Sequence, residues 1–259
     1  DDPAIVAPPR DGGAGCGAQG DPGFIGRARP ALVVPGDADR DIDAVAAAIL
    51  GHGRGAPLTR VIYTESHDDV ANGKTRVPEA ISPGAADSWW AKKRAVLGSA
   101  LVLTSPGIPM LFQGQELLED RWFDDTVALD WQKASTNKGI LRLHRDLIAL
   151  RRARDGATLG LRGTNVAILR ADRAVGLLVM HRWMDGGRHD DTVVVANFAD
   201  RARDGLRIGF PAPGQWKVRF NADAATYAPD FGSHEASDLV ADGEPLDGCA
   251  QSGLVAVGP

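Results

Sequence analysis

The apolar positions of this chain change their period about halfway along it. In the first half they recur at helical spacing. Ile42, Val45, Ala46, Ile49 and Leu50 share one face after an acidic stretch at 37–43 and before Gly51, which predicts a helix closed by a glycine. Trp90, Ala91, Arg94, Leu97, Ala100, Leu101 and Leu103 predict a second helix, capped by Asp87 or Ser88 and stopped at Thr104-Ser-Pro-Gly107. Ile140, Leu143, Leu147 and Leu150 predict a third over 137–154, with Arg145, Arg151, Arg152 and Arg154 as a basic face. Between the helices lie two short apolar runs that end in polar groups. Val61, Ile62, Tyr63 and Thr64 lead into Glu65-Ser-His-Asp-Asp69, and Ile108-Pro-Met-Leu-Phe112 leads into Gln113-Gly-Gln-Glu116. Helix, strand, helix, strand is the order of parallel α/β units.

After Gly156 the texture is that of strands. Runs at 166–169, 175–180, 192–198, 206–210 and 216–220 are separated by turn clusters such as Asp185-Gly-Gly187 and Pro211-Ala-Pro-Gly214. Trp216, Val218 and Phe220 alternate with Lys217 and Arg219, the pattern of a half-buried strand. Short strands with turns between them predict an antiparallel β-sandwich. A domain boundary near residue 158 follows, dividing the chain into an α/β part, 1–157, and an all-β part, 158–259.

Composition narrows the function classes. At 259 residues the chain can bury one large core or two smaller ones. A net charge of −5 argues against a partner recognised through its phosphates, so no nucleic acid is expected. No apolar run reaches the ~18 residues that span a bilayer, so no membrane partner is expected either. Cys16 and Cys249 lie far apart with no secretory leader in the chain, which suggests neither a disulfide nor a metal site and places the protein in the cytoplasm. No cofactor is expected. Gly12-Gly-Ala-Gly-Cys-Gly17 resembles a phosphate cradle only superficially, because no strand precedes it and Pro22 and Gly23 interrupt the helix that should follow. The chain lacks an initiator Met and opens on Asp1-Asp2-Pro3, which gives the expectation of a fragment.

Chemistry in parallel α/β folds sits where strands end and loops begin. A strand that stops on His67-Asp68 is therefore a site candidate, against the plainer reading of a polar junction with a capping Asp.

Four motifs in order carry a resemblance: Tyr63-Thr-Glu-Ser-His-Asp68, Asn72-Gly-Lys74, Pro106-Gly-Ile-Pro-Met-Leu-Phe-Gln-Gly-Gln-Glu116 and Leu129-Asp-Trp131. Together they resemble the C-terminal part of the α-amylase superfamily of glycoside hydrolases and transglycosylases, and within it the 1,4-α-glucan (glycogen) branching enzymes. Val193-Val-Val-Ala-Asn-Phe198 and Ile208-Gly-Phe-Pro211 resemble that family's C-terminal β domain. The resemblance implies the last three strands of a (β/α)8 TIM barrel, strands 6–8 with their helices, over 1–157. Strand 6 would lie near residues 15–19, strand 7 would end at His67-Asp68, and strand 8 would be 108–112. An antiparallel β-sandwich domain would follow over 158–259.

It also implies an α-glucan partner, glycogen or a maltooligosaccharide, and a double displacement. An Asp attacks the anomeric carbon, a Glu acts as acid and then base, and a further Asp holds the sugar hydroxyls. Asp68 matches that further Asp, and His67 a neighbour that hydrogen-bonds sugar hydroxyls. A carboxylate beside a sugar ring can accept two hydroxyl hydrogen bonds and offset developing positive charge, and a neutral imidazole can donate to another hydroxyl. Glu65 is a substrate contact or a partner of these residues. Gln115 and Glu116 reach the glucan or brace the neighbouring loops. Trp131, with Trp122 and Phe123, offers flat faces for stacking or forms the loop's own small core.

The nucleophile and the acid/base have no match in this sequence. Retaining cleavage needs two carboxyl groups about 5 Å apart, so the 259 residues alone are expected to be inactive. At Cys16-Gly-Ala-Gln-Gly20 the relatives carry an aromatic and a Trp-Asp pair. Three readings stay open: a branching glycosyltransfer enzyme, a hydrolase of the same superfamily of amylase or trehalose-releasing type, and a non-catalytic glucan-binding module.

Overall fold

A computed structural model describes residues 5–6, 14–51, 56–186 and 190–259. Residues 1–3, the start of the glycine run at 12–13, and Gly187 lie outside them.

The first helix starts at an aspartate. Asp21 Oδ1 accepts from the backbone N–H groups of Gly23 and Phe24 at 3.0 and 3.2 Å, satisfying donors that a helix start leaves without partners. Helix α1 (Pro22–Val33) follows a two-residue strand, β1 (Gln19–Gly20). Pro22 therefore opens this helix instead of interrupting it. At the first helical position the missing N–H has no partner to lose and the fixed φ already suits the helix, so the sequence expectation for Pro22 and Gly23 is corrected.

Helix α2 (Ile42–Leu50) is capped by Asp41, whose Oδ1 accepts from Ala44 N at 2.9 Å, and it closes at Gly51 with φ of 58°. Glycine is needed there twice over. The φ is left-handed, and a Cβ would fall 1.8 Å from Arg60 Nη1. Strand β2 (Arg60–Ile62) then leads to α3 (His67–Val70) and α4 (Val77–Ile81). Helix α5 (Trp89–Thr104) is capped by Ser88 Oγ, and β3 (Ile108–Pro109), α6 (Gln132–Thr136) and α7 (Lys138–Arg151) follow. β2 is the middle strand of a parallel sheet, with Gly20 opposite Val61 on one side and Ile108 opposite Val61 on the other.

The expected basic face of α7 is only partly one. Arg151 turns inward and donates to Ser105 O and Gly107 O, both at 2.6 Å. Those carbonyls follow the end of α5, where acceptors are left over.

The rest of the chain is antiparallel. β4 (Asn165–Asp172), β5 (Leu177–Trp183) and β6 (Thr192–Asn197) form one sheet. β7 (Arg203–Phe210) pairs with β10 (Gln251–Val257), and β8 (Gly214–Trp216) with β9 (Leu239–Ala241). Period-two alternation makes β5 a strand buried on both faces. Leu177 and Val179 pack with Ile208, Phe210 and Ala241 inside a sandwich. Leu178 and Met180 face the other way, against Phe24, Leu32, Ile42 and Ile49 of α1 and α2. Burial of each such side chain stabilises the fold by roughly 2 kcal/mol.

Arg182 continues that second face and is fully buried. Its guanidinium donates to Asn165 O, Leu161 O, Gly163 O and Thr104 O, joining the end of α5 to the β4–β5 hairpin. Burial, helped by the nearby Arg151 charge, pushes its pKa down to about 9.

The alternating run at 216–220 does not continue as a strand. β8 stops at Trp216 because its partner β9 is three residues long. Val218 N instead donates to the Asp238 carboxylate at 2.8 Å, and Phe220 packs on Tyr227.

Candidate functional site

The central parallel strand ends at Ile62, and the next residues lie at the carboxyl edge of the sheet. Thr64 and Glu65 turn inward. The Glu65 carboxylate is 1% exposed and accepts from Val77 N at 2.6 Å and from Arg76 Nη1 at 3.1 Å. Burial pushes its pKa up, against the pull of those two donors. A bound sugar cannot reach it, so the expectation of Glu65 as a substrate contact is corrected: it fastens the end of β2 to the start of α4.

His67 and Asp68 point outward from the first residues of α3. Their side chains are 67% and 82% exposed, and His67 Nε2 stands 3.2 Å from Asp68 Oδ1. Among the described residues no other side chain bonds to that carboxylate. Asp69 is held by Ser66 Oγ at 2.5 Å. Asn72 and Gly73 then take left-handed backbone, φ 55° and 78°, which those two residue types tolerate best. The turn brings Lys74 back so that its Nζ donates to Asp68 O at 2.6 Å. The motif Asn72-Gly-Lys74 is therefore the buttress of the His-Asp tip.

Lys74 also lines a concavity of about 460 Å³ between residues 73–79 and the loop 119–129. Trp122, half exposed, and Asp124 form part of its wall. Phe123 is set edge-on against Phe112, 5.2 Å between centroids, and its N–H donates to Val70 O. The loop thereby docks on the end of α3.

The other candidates divide. Gln115 braces: its Nε2 donates to Thr64 Oγ1 at 2.9 Å and its Oε1 accepts from Phe112 N at 2.6 Å. Glu116 accepts from Gly114 N at 3.1 Å. Both sit in the turn after β3; Gln115 ties it to the segment after β2, and Glu116 closes the turn on itself. Trp131 is 66% exposed at the start of α6 and does not line the concavity. His67 and Asp68 thus stand together at the tip, and Lys74 links the Asp68 carbonyl to the concavity that Trp122 walls, while Gln115, Glu116 and Trp131 do not line it.

Two residues have roles that the motifs do not reveal. Tyr63 places its hydroxyl over Gly20, 3.2 Å from where a Cβ would be. Burial raises its pKa, and the carboxylates of Asp69, Asp21 and Asp68 raise it further. A large residue in place of Gly20 would meet this ring. Glu119 is the second. It accepts from Arg121, Lys133 and the N–H groups of Asp120 and Arg121, fixing the loop that carries Trp122. Its burial acts to raise its pKa, but those donors outweigh burial and hold the carboxyl at about 2. Only a three-dimensional view distinguishes it from its acidic neighbours.

Residues 181–259 match the model of the alpha amylase C-terminal all-beta domain. The 1,4-alpha-glucan branching enzyme GlgB of Burkholderia vietnamiensis (strain G4 / LMG 22486) is 34% identical over 197 residues, 72% of this chain and 26% of that protein. The branching enzyme of Pseudomonas syringae pv. tomato is 30% identical over 205 residues, 74% of this chain and 26% of that protein. The chain belongs to the α-amylase superfamily.

It spans about a quarter of the length of the curated family members it matches. A pullulanase from Anoxybacillus sp. LM18-11, solved in complex with maltotetraose, superposes with a TM-score of 0.60 at 21% identity, covering 93% of this chain and 35% of that one. At that identity the likeness is one of fold. It extends across both the parallel sheet and the antiparallel sheets of this superfamily member. Among the described residues no helix is long and apolar enough to cross a membrane.

Proposed function

We propose that β1, β2 and β3 are strands 6, 7 and 8 of a (β/α)8 barrel, that residues 1–157 and 158–259 are its closing part and the β domain after it, and that the carboxyl edge of β2 binds an α-glucan. The observation that carries this reading is the outward-facing His67–Asp68 pair, 3.2 Å apart at the end of the middle parallel strand. Identity of 30–34% with branching enzymes supports the reaction type: cleavage of an α-1,4 bond and formation of an α-1,6 bond.

In this mechanism the Asp68 carboxylate accepts two hydroxyls of one glucose ring, hydrogen bonds that strengthen as positive charge develops at the anomeric carbon. His67 donates to a further hydroxyl. Lys74 holds the Asp68 backbone, and Trp122 offers a ring face to a neighbouring sugar. Gln115 and Glu116 act by bracing, and Trp131 lies outside the ring-binding group. The attacking Asp and the acid/base Glu have no counterpart in the motifs carried here. The chain by itself therefore binds glucan without turning it over. The cytoplasmic setting and a role in glycogen metabolism belong to the same reading.

Affinity electrophoresis through glycogen tests it. The wild-type chain is expected to be retarded in proportion to glycogen concentration, and Asp68→Asn to migrate as in a glycogen-free gel. Equal migration of wild type with and without glycogen, or equal retardation of Asp68→Asn, contradicts the assignment.

A further inference from the structure

Two adjacent aspartates follow His67, and they stand differently. Asp68 is exposed and reaches outward beside His67. Asp69 is half-buried and turns back, its Oδ2 accepting from Ser66 Oγ at 2.5 Å. Ser66 is itself buried. This bond therefore lies under the tip, where it joins the residue before His67 to the residue after Asp68.

The turn that it spans has little else to hold it. Helix α3 is four residues long, too short to keep its shape in water unaided. Ser66 occupies its N-cap with extended backbone, yet its side chain makes no bond to the backbone N–H groups that a capping serine usually serves. The hydroxyl goes to the Asp69 carboxylate instead, a charge-assisted hydrogen bond of the stronger kind. Two backbone bonds complete the turn, from Asp69 N to Ser66 O at 3.1 Å and from Ala71 N to His67 O at 2.9 Å. On the far side Lys74 Nζ donates to the Asp68 carbonyl at 2.6 Å. The Asp68 backbone is thus fixed before and after it, and its carboxylate is left with the few staggered positions that the side chain allows. A carboxylate carried in this way can receive a sugar without first ordering the backbone beneath it, a cost that otherwise weakens binding.

We propose that Asp69 is a positioning residue of the glucan site: through Ser66 it holds the turn that aims His67 and Asp68, and it touches no sugar itself. The role rests on the glucan reading of the tip. It divides the labour of two neighbouring carboxylates, one for the ligand and one for the frame.

Affinity electrophoresis of the full chain through glycogen, with a dissociation constant taken from retardation against glycogen concentration, tests it. Ser66→Ala and Asp69→Ala each remove the bond. Each is expected to weaken binding about tenfold, as happens when about one molecule in ten keeps the turn in its binding form. The double variant should bind no more weakly than either single one, because both act through one bond. Asp69→Asn retains an oxygen that can accept from Ser66 and should recover binding to within about threefold of wild type. The unfolding transition establishes that each variant is folded. Should Asp69→Ala not fold, Ser66→Ala, which removes a single oxygen, decides. Retardation of wild type but not of Asp68→Asn, together with wild-type binding by Ser66→Ala and Asp69→Ala, overturns the positioning role and leaves the glucan reading in place. So do losses that multiply in the double variant, or an Asp69→Asn variant that binds no better than Asp69→Ala. A wild-type chain that glycogen does not retard removes the glucan reading and the positioning role with it.

Discussion

The Arg76 guanidinium donates to the Glu65 carboxylate at 3.1 Å, and both side chains are buried at the carboxyl edge of the parallel sheet. Arg76 also donates to Gln113 O at 2.9 Å and to Arg121 O at 3.2 Å, and lies 4.9 Å from the centre of the Phe112 ring. One side chain thus fastens the end of β2, the turn after β3 and the loop that carries Trp122. The frame under the His67–Asp68 tip is set here. Replacing Arg76 with Met leaves Glu65 as a buried, uncompensated charge, a change that costs about 3–5 kcal/mol. Urea denaturation should show that loss for Arg76→Met and a smaller one for the double variant Glu65→Leu with Arg76→Met, which removes both charges.

Glu119 gives the fold a defined pH dependence. Its carboxyl is held at about 2 in the folded chain against an ordinary value of 4.5. A depressed carboxyl contributes stability that is fully present above the unfolded pKa and is lost as pH falls through the folded one. The difference in thermal midpoint between wild type and Glu119→Gln should be constant above about pH 5, narrow below it, and close near pH 2. A difference that stays constant down to pH 2 would show that Glu119 has no such role.

Among the described residues the Arg182 guanidinium bonds to carbonyls and to no carboxylate. It satisfies four backbone carbonyls that would otherwise be buried unpaired between α5 and the β4–β5 hairpin. Arg182→Met fills the same space and strands those acceptors, for an expected loss of about 3 kcal/mol or more. A fall of that size in the unfolding free energy from guanidinium titration checks it, and a change under about 1 kcal/mol refutes it.

Asp68 stands at the other extreme. Its side chain is 82% exposed, and among the described residues the one side chain bonded to it is His67. Asp68→Asn should therefore leave the unfolding free energy within about 0.5 kcal/mol of wild type. Chemical denaturation carried out beside the glycogen gel separates a lost ligand contact from a lost fold.

What the sequence makes legible is local. The limits of α2 follow from Asp41 and Gly51, the start of α5 from Ser88, and the place of His67-Asp68 at a strand end from the apolar run before it. The run at 175–180 also reads as a strand, although its burial on both faces shows only in the structure. What escapes is set by partners far along the chain. Glu119 finds Lys133 only once the loop has closed, and Asp21 finds Arg60 thirty-nine residues on, at 2.7 Å. The strand expected at 216–220 ends early because β9, the strand it pairs with, is short. Pro22 is misjudged because one residue decides whether a proline opens a helix or breaks it.

The central claim is that the Asp68 carboxylate receives the hydroxyls of a glucose ring. A crystal structure of the chain soaked with maltotetraose tests it most directly. The account predicts a sugar at the carboxyl edge of β2 with two hydroxyl oxygens within about 3 Å of the Asp68 carboxylate and a neighbouring ring beside Trp122. Sugar bound only elsewhere on the chain, with Asp68 facing open solvent, would contradict it.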